Sequence, residues 1–508
     1  MNIERALISV YDKTGIEHFA SYLNNNGVDI ISTGGTYEYL KKYGIKVQSV
    51  EDYTGIVEMF DGRIKTISPR IAGGILADRS KTEHLDQMIK ANIPNIDMIV
   101  VNLCPFKEFS KETFDEFELI DKIDIGGINI IRSAAKNYRD VLPVVDPSDY
   151  EKVMKSFDFC GDVPLQSRRK YALKAFYSTM KYEESIHEAL SFLFAEEKYK
   201  HLTLERVEDF KYGDNPHQDA FLMKIAGEES LYEHIEFIIK HHLTLRLYRQ
   251  IFNGISFMKN LSSGGFTIII NLTPVFFSRK ENDNEYLNMI ERDLQERSNS
   301  NSAFISKDCV QLSTAEFILR NNIKTIVAND FTEEAEQLLK TSEIKILAKC
   351  HNFNYDNTHR TFLENEVLLQ QKDSVEVFGN IVERYSKSNS EFLRDDLLLA
   401  MQMIRVLETN SVVRLKNGRM VSVSGGMLNS GEATEVAISR FKILTQKFKG
   451  GVLGFDSDVG IEVIKKAYEA WQMTCILKPK NDSNQEAIME YVKEKGISLY
   501  EFDRRHYA

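Results

Sequence analysis

The chain has 508 residues, of which 43% are hydrophobic and 27% are charged, a composition typical of soluble proteins with more than one hydrophobic core. Its formal net charge of -11 argues against nucleic acid and membrane surfaces as general partners, and no apolar run approaches the length of a membrane span. The five cysteines are odd in number and far apart, and no Cys/His cluster has metal-ligand spacing, so we expect a cytoplasmic protein without disulfides or a metal site.

The first 146 residues alternate between short apolar stretches and amphipathic ones, starting from an N-terminus without a signal-peptide pattern. Strands are predicted at residues 6–10, 28–32, 96–103 and 141–145, and helices at residues 12–24, 37–43 and 128–138. This alternation predicts a parallel sheet covered by helices on both faces. Ligands of such sheets bind at the carboxyl ends of the strands.

The rest of the chain has a different organisation. Residues 151–200 have a helical pattern and are expected to form a linker. Residues 201–508 again mix strand and helix patterns, and we expect a large second region of two lobes. The first domain is accordingly assigned to residues 1–150.

A dense group of anion-binding side chains follows the second predicted strand. Arg63 and Lys65 are separated by one residue, and the hydroxyl of Thr66 comes next. Arginine supplies a planar fork of donors and lysine a compact point charge, so the pair suits a phosphorylated substrate on which negative charge develops. A solvated turn with ordinary surface cations is the alternative interpretation of this segment alone.

Loops that follow predicted strands add small and hydroxyl residues. Ser9 and Lys13 flank the exit of the first strand, and residues 33–36 join the second strand to a helix. Free backbone amides and the helix dipole favour an anion at such a junction. Together with Arg63 and Lys65, these loops predict a phosphate site.

A second group of reactive side chains lies at residues 123–136. Asp124 precedes Gly126 and Gly127, which let the backbone approach a ligand closely, and Arg132 and Lys136 share one helical face. A carboxylate beside Lys65 or Lys136 would form a set able to move protons. The alternative is an aspartate helix cap followed by a salt-bridged helix face.

These segments occur in the order found in a known family. The matching stretches are residues 9–15, 32–36, 60–66, 101–106, 123–127, 134–137 and 146–150. They resemble the N-terminal domain of the bifunctional AICAR transformylase/IMP cyclohydrolase family, and residues 211–218 resemble the entry to its transformylase domain. The resemblance is close over the first 150 residues and faint after about residue 220. It implies an α/β protein with a methylglyoxal-synthase-like parallel-sheet domain and a large cytidine-deaminase-like α/β region.

The resemblance implies a cyclohydrolase that closes formyl-AICAR (FAICAR) to IMP with loss of water and without a cofactor. Lys65, Asp124 and Lys136 would stabilise charge and move protons, because an intramolecular attack needs mainly positioning and electrostatic stabilisation. The residues implied to hold the ribose phosphate and the base are Ser9, Lys13, Thr14, Gly15, Ser32, Thr33, Gly34, Gly35, Thr36, Arg63, Thr66, Asn102, Gly126 and Gly127.

Three positions in the first domain depart from the family pattern. Cys104 stands where the family usually has a site tyrosine, and Ser68 and Ala72 stand where it usually has histidine. Cys104 is retained in the predicted catalytic set by its position, although a thiol has neither the reach nor the oriented hydroxyl of a phenol. A small buried hydrophobic residue is the alternative role.

The second region departs more strongly. The family's transformylase carries an adjacent Lys-His pair before a proline, and Ile270 and Asn271 occupy those positions here. Asparagine has no nitrogen that titrates near neutral pH, and losing a general base typically costs about 10²–10⁴-fold in rate. We therefore predict a degenerate transformylase site that serves a homodimerisation scaffold, with these residues at its positions: Lys211, Tyr212, Ile270, Asn271, Asn410 and His506.

Three functions remain open from the sequence. The first is a cyclohydrolase with an inactive transformylase. The second is a bifunctional enzyme that also transfers a formyl group from 10-formyltetrahydrofolate to AICAR, with His241 or His242 as the replacement base. The third is a non-catalytic scaffold or regulator that binds purine nucleotides. FAICAR, IMP and AICAR are the expected small-molecule partners.

Overall fold

The computed structural model forms two compact units, Met1–Leu202 and Thr203–Ala508, which are described separately. The residues described are 3–60, 63–112, 115–196, 198–280, 282–297, 302–352, 359–363, 366–370, 381–387, 391–440, 448–480 and 485–502. Within these residues no helix combines the length and the hydropathy needed to cross a membrane.

The first unit contains one parallel sheet with the strand order β3-β2-β1-β4-β5. Its strands are β1 (Arg5–Val10), β2 (Asp29–Ser32), β3 (Gln48–Ser49), β4 (Met98–Asn102) and β5 (Leu142–Val144). Its helices are α1 (Ile16–Asn25), α2 (Gly34–Lys42), α3 (Val50–Thr54), α4 (Pro69–Leu76), α5 (Thr82–Lys90), α6 (Phe106–Glu112), α7 (Glu116–Asp121), α8 (Gly126–Lys136), α9 (Tyr150–Cys160) and α10 (Leu165–Leu193). The predicted parallel sheet is confirmed.

Consecutive residues of the central strands are buried on alternate faces, so that each face of this sheet supports its own core. Ile8 belongs to one buried cluster and Leu7 to the other, because successive side chains of a strand point to opposite faces. The helix predicted to open at residue 12 begins at Ile16 instead. Residues 12–15 form a turn, in which Gly15 has a φ of 68°.

The helices predicted as a linker belong to the first unit. Helix α10 packs against α8 and β5, and its Ala172 and Ala175 are buried in the same cluster as Leu7. Helices α9 and α10 therefore belong to this unit, and α10 contributes to its core.

The second unit is dominated by a mixed sheet of twelve strands among the residues described. The strands described in this unit are β6 (Leu204–Phe210), β7 (Ala220–Ile225), β8 (Ile235–Lys240), β9 (Phe266–Ile270), β10 (Thr273–Ser278), β11 (Ser302–Val310), β12 (Thr325–Phe331), β13 (Ile346–Cys350), β14 (His359–Leu363), β15 (Glu366–Gln370), β16 (Ile381–Tyr385), β17 (Val412–Lys416), β18 (Arg419–Ser424), β19 (Val452–Phe455), β20 (Cys475–Pro479) and β21 (Ser498–Phe502). Two pairs, β6 with β7 and β14 with β15, form separate two-stranded sheets, and the other strands form the twelve-stranded sheet. Its helices are α11 (Leu245–Lys259), α12 (Asn284–Arg297), α13 (Leu312–Arg320), α14 (Glu333–Lys340), α15 (Glu391–Ile404), α16 (Ser430–Arg440), α17 (Ile461–Trp471) and α18 (Gln485–Lys495).

One continuous sheet runs through the described residues of this unit. The order is β16-β21-β20-β19-β17-β18-β10-β9-β11-β12-β13-β8. Its two halves meet where β10 pairs with β18 through Ser278 and Arg419. That arginine is buried and binds the carboxylate of Asp283 at 2.6 Å, so the junction is closed by a buried ion pair.

Candidate functional site

The first candidate site starts at the carboxyl ends of β1 and β2. Ser9 Oγ lies 2.8 Å from Thr33 Oγ1, within hydrogen-bond distance. Thr36 Oγ1 accepts a hydrogen bond from Val10 N at 3.1 Å and donates to Val10 O at 3.0 Å. Because parallel strands end at one edge of the sheet, these hydroxyls gather beside the first turn of α2.

The loop after β1 is held to the end of β4 by Asn102. The Asn102 Oδ1 atom accepts from the backbone N–H groups of Tyr11 at 2.7 Å and Asp12 at 2.9 Å, and its Nδ2 donates to Asp12 O at 2.9 Å. The Thr14 hydroxyl donates to Asp12 Oδ1 at 2.7 Å, and this bond lowers the pKa of Asp12. Asn102 and Thr14 therefore shape the loop instead of pointing free donors at a ligand.

The other predicted phosphate ligands also divide into residues that hold the scaffold and residues that remain accessible to an anion. Ser32 Oγ donates to Ile8 O at 2.7 Å, so it belongs to the scaffold. A Cβ atom on Gly34 or Gly35 would meet open space, which leaves the N-terminus of α2 accessible to an anion. Lys13 Nζ lies 3.4 Å from Tyr11 O, at the mouth of the same loop.

A second group converges at the N-terminus of α8. A Cβ atom on Gly126 would lie 2.5 Å from Thr66 Oγ1, and one on Gly127 would lie 3.1 Å from the carboxylate carbon of Asp124. The backbone N–H of Gly127 donates to Asp124 Oδ1 at 2.8 Å. The structure thus brings Thr66 and Asp124 against the two glycines, where any side chain in place of hydrogen would displace them.

The two predicted cations next to Thr66 are exposed. Arg63 Nη2 lies 2.9 Å from Asp121 Oδ1, and the two side chains are 70% and 68% exposed. Such an exposed ion pair contributes little to stability. Lys65 is also exposed and precedes the buried Thr66.

Lys136 does not lie beside Asp124. It ends α8 ten residues after Gly126, a rise of about 15 Å along the helix axis between these two residues. Arg132 lies one turn earlier, with its guanidinium 5.9 Å from the Phe176 ring. Asp124 and Lys136 therefore lie at opposite ends of α8.

Cys104 lies half-buried near Asp124 and Lys122. Burial raises the pKa of its thiol, the Asp124 charge raises it further and the Lys122 ammonium lowers it. The thiol is therefore protonated at neutral pH, which disfavours a nucleophilic role. Ser68 caps α4 by accepting from Arg70 N at 3.2 Å, and Ala72 lies within that helix.

In the second unit, the position expected for a proton-transfer histidine lies in the turn between β9 and β10. Asn271 has a φ of 51°, and its Oδ1 accepts from Arg246 Nη2 at 2.8 Å. Ile270 is buried at the end of β9. Lys211 N donates to Leu243 O at 2.9 Å, and Tyr212 O accepts from Leu245 N at 3.5 Å.

The histidines considered as a replacement base follow a strand that is not a neighbour of β9. His241 and His242 directly follow β8, and β11, β12 and β13 separate β8 from β9. Four strand spacings place the two strands about 19 Å apart. Arg246, four residues after His242, nevertheless bonds to Asn271, so the sheet order does not decide between the histidines and another base, and the replacement base stays a prediction.

A buried polar group around the predicted site residue Asn410 lies at one end of β17, β18 and β19. Asn410 Nδ2 donates to Met427 O at 2.9 Å, and Ser411 N donates to Asp456 Oδ1 at 2.7 Å. Among the residues described, these buried atoms lack a hydrogen-bond partner: Ser411 Oγ, Ser424 Oγ, Asp456 Oδ2 and Ser457 Oγ. Buried polar atoms normally find partners, so this group is suited to a polar ligand. His506, also predicted at this site, lies outside the described residues.

Comparison with known proteins identifies the family. The model of the AICARFT/IMPCHase bienzyme matches residues 134–440, and the model of the MGS-like domain matches residues 15–129. The chain belongs to the AICARFT/IMPCHase bienzyme family. The resemblance noted in the sequence is thereby confirmed over both units.

Relatives of this bienzyme family align along nearly the whole chain. The bifunctional purine biosynthesis protein PurH of Clostridium botulinum (strain Loch Maree / Type A3) is 32% identical over 522 residues, covering 99% of each chain. The PurH protein of Acetivibrio thermocellus is 32% identical over 518 residues, with the same coverage. A crystal structure of ForH is 33% identical and covers 37% of this chain and 99% of its own, with a TM-score of 0.34.

Among the residues described, no cluster of three or more His, Cys, Asp and Glu side chains is arranged to hold a metal ion.

Proposed function

We propose that the first unit catalyses the IMP cyclohydrolase reaction, in which FAICAR closes to IMP. The carboxamide nitrogen attacks the formyl carbon, a C–N bond forms, and the formyl oxygen leaves as water. The observation that carries this proposal is the convergence of Thr66 and Asp124 on Gly126 and Gly127. At this point a ligand can approach the glycine backbone closely and meet both the Thr66 hydroxyl and the Asp124 carboxylate.

Each group has a distinct task in this proposal. Arg63 and the first turn of α2 hold the ribose phosphate, while the exposed Lys65 ammonium stabilises negative charge that develops on the formyl oxygen. Asp124 accepts a proton from the attacking nitrogen. Lys136, at the far end of α8, acts on a different part of the nucleotide, and the Cys104 thiol lines the site as a small apolar group.

Turnover of FAICAR tests the assignment against a purely binding role. Purified protein and synthetic FAICAR are mixed, and IMP is followed by its absorbance. Catalytic accumulation of IMP supports the cyclohydrolase, whereas stoichiometric binding of FAICAR or IMP without conversion supports the scaffold alternative.

The second unit has a second candidate function, formyl transfer from 10-formyltetrahydrofolate to AICAR. Two observations favour it: relatives named as bifunctional align over 99% of the chain, and the buried polar group around Ser411 and Asp456 is suited to a ligand. The argument for loss of this activity rests mainly on Ile270 and Asn271, with further departures from the family pattern at residues 302–306, 424–430 and 454–458. The bifunctional interpretation is therefore better supported than a cyclohydrolase with an inactive second unit.

The substitution Asn271→His tests whether this position limits formyl transfer. Histidine tolerates the left-handed backbone found there, and it restores a group that titrates near neutral pH. We expect formyl transfer with AICAR and 10-formyltetrahydrofolate to rise by about 10²-fold. Asn417→His, in another exposed turn with a φ of 54°, is the matched control. An unchanged rate in both variants would show that proton transfer occurs elsewhere.

We also propose that the protein is a homodimer formed through residues 203–508. Size-exclusion chromatography with light scattering is expected to give twice the chain mass of 58.5 kDa. A stable species at the mass of one chain would contradict this.

A further inference from the structure

The hydroxyl of Tyr182 holds the turn that carries Asp124. This tyrosine lies beyond the first 150 residues, to which the sequence assigns the site. Its hydroxyl oxygen accepts a hydrogen bond from Asp124 N at 2.8 Å and lies 3.4 Å from Lys122 O, to which it donates. One hydroxyl therefore contacts both sides of the turn. Its residue lies on α10, 58 positions further along the chain.

The ring of Tyr182 is itself fixed. It is 5% exposed and packs edge-on against Phe106, with the ring centroids 6.2 Å apart. Phe106, Leu119 and Tyr182 form a small buried cluster of the first unit. Burial raises the pKa of Tyr182 to about 12, so the hydroxyl keeps its proton and remains able to donate to Lys122 O.

Asp124 is thus held at two points. Its backbone N–H is bound by Tyr182, and its carboxylate accepts from Gly127 N at 2.8 Å. Losing either contact would let the carboxylate move relative to Thr66 and the N-terminus of α8. A displacement of about 1 Å can cost a large factor in rate when reacting groups must be aligned.

We propose that Tyr182 is a positioning residue for the cyclohydrolase reaction, fixing the Asp124 turn through its backbone N–H. The inference rests on the proposed function of the first unit. It adds a residue from α10, a segment that the sequence assigned to a linker, to the machinery of the site.

The substitution Tyr182→Phe removes the hydroxyl and keeps the ring. We expect kcat for FAICAR closure to fall about 10-fold, as is common when a supporting hydrogen bond is removed. KM should change less than about twofold, because the phosphate is held by other elements. Tyr171→Phe makes the same change on the same helix at a residue that packs on a different cluster, and it should leave kcat unchanged.

A structural defect would also lower the apparent kcat, so two further measurements separate the roles. The stoichiometry of IMP binding should remain that of the unmodified protein. In an Asp124→Asn background, where the carboxylate is already lost, Tyr182→Phe should have little further effect on the residual rate.

Each result decides the matter. The positioning role is supported if Tyr182→Phe lowers kcat, leaves the stoichiometry of IMP binding normal, and has little further effect on kcat in the Asp124→Asn background. Full additivity, or an unchanged kcat in Tyr182→Phe, overturns it while the cyclohydrolase assignment stands. Absence of turnover in the unmodified protein overturns the proposed function and this inference together.

Discussion

Replacement of Lys65 by alanine is expected to lower the rate of IMP formation from FAICAR by about 10²- to 10³-fold, the usual cost of removing one group that stabilises a developing oxyanion. Lys65 directly precedes Thr66, whose hydroxyl lies against Gly126 at the start of α8. The backbone of Lys65 therefore lies next to the turn that carries Asp124, and its side chain is exposed. Because its charge matters most when the formyl oxygen becomes negative, kcat should fall more than the affinity for FAICAR.

The matched control is Lys90→Ala, which removes an exposed lysine of the same unit at the end of α5. It should retain the rate of the unmodified protein. Binding of IMP, measured by calorimetry, should survive in both variants. Equal rates in Lys65→Ala and Lys90→Ala would show that Lys65 has no part in the reaction.

The second large effect that we expect is a loss of stability of the second unit when Glu501 is replaced by alanine. Glu501 is 1% exposed and binds Lys478 Nζ at 2.6 Å and Arg384 Nε at 2.8 Å. Glu501→Ala would leave the Lys478 ammonium buried without its partner. Breaking such a pair typically costs about 3–5 kcal/mol, and we expect a loss of this size in the free energy of unfolding of the second unit.

The single tryptophan of the sequence makes this loss measurable. Trp471 is fully buried in the second unit, so its fluorescence reports denaturation of that unit alone. Glu462→Ala, which breaks an exposed ion pair with Lys465, should leave the transition nearly unchanged. A Glu501→Ala protein with the unmodified transition midpoint would contradict the argument.

Several features of the first unit could be predicted because they have local signatures. The parallel sheet follows from alternating strand and helix patterns. The proximity of Asp124 to Gly127 follows from their spacing at the start of a helix. Residues 33–36 were expected to form a strand-to-helix junction, and α2 does begin at Gly34.

Other features depend on contacts between distant residues, which a local pattern does not contain. The bonds of Asn102 to the loop after β1 cross 90 positions and turn an expected ligand into a scaffold residue. Tyr182 has no local signal that connects it with Asp124. The pattern around Lys136 predicts a helix, and the bounds of α8 place Lys136 at its C-terminal end while Asp124 precedes its first residue.

The second unit was harder to predict for a related reason. Ser411, Ser424 and Asp456 are brought together by the pairing of Val412 with both Ser424 and Phe455. Strand register of this kind depends on which strands become neighbours, and the sequence alone does not fix that order. The presence of Asn271 at the position of the family's histidine is visible in the sequence. The separation of β8, which precedes His241, from β9, which precedes Asn271, follows only from the sheet order.

The most direct measurement is the conversion of FAICAR by the unmodified full-length protein, with the product identified by chromatography against authentic IMP. The cyclohydrolase assignment predicts many IMP molecules per protein chain. FAICAR that binds and is recovered unchanged would contradict it and would make a non-catalytic nucleotide-binding role the leading interpretation.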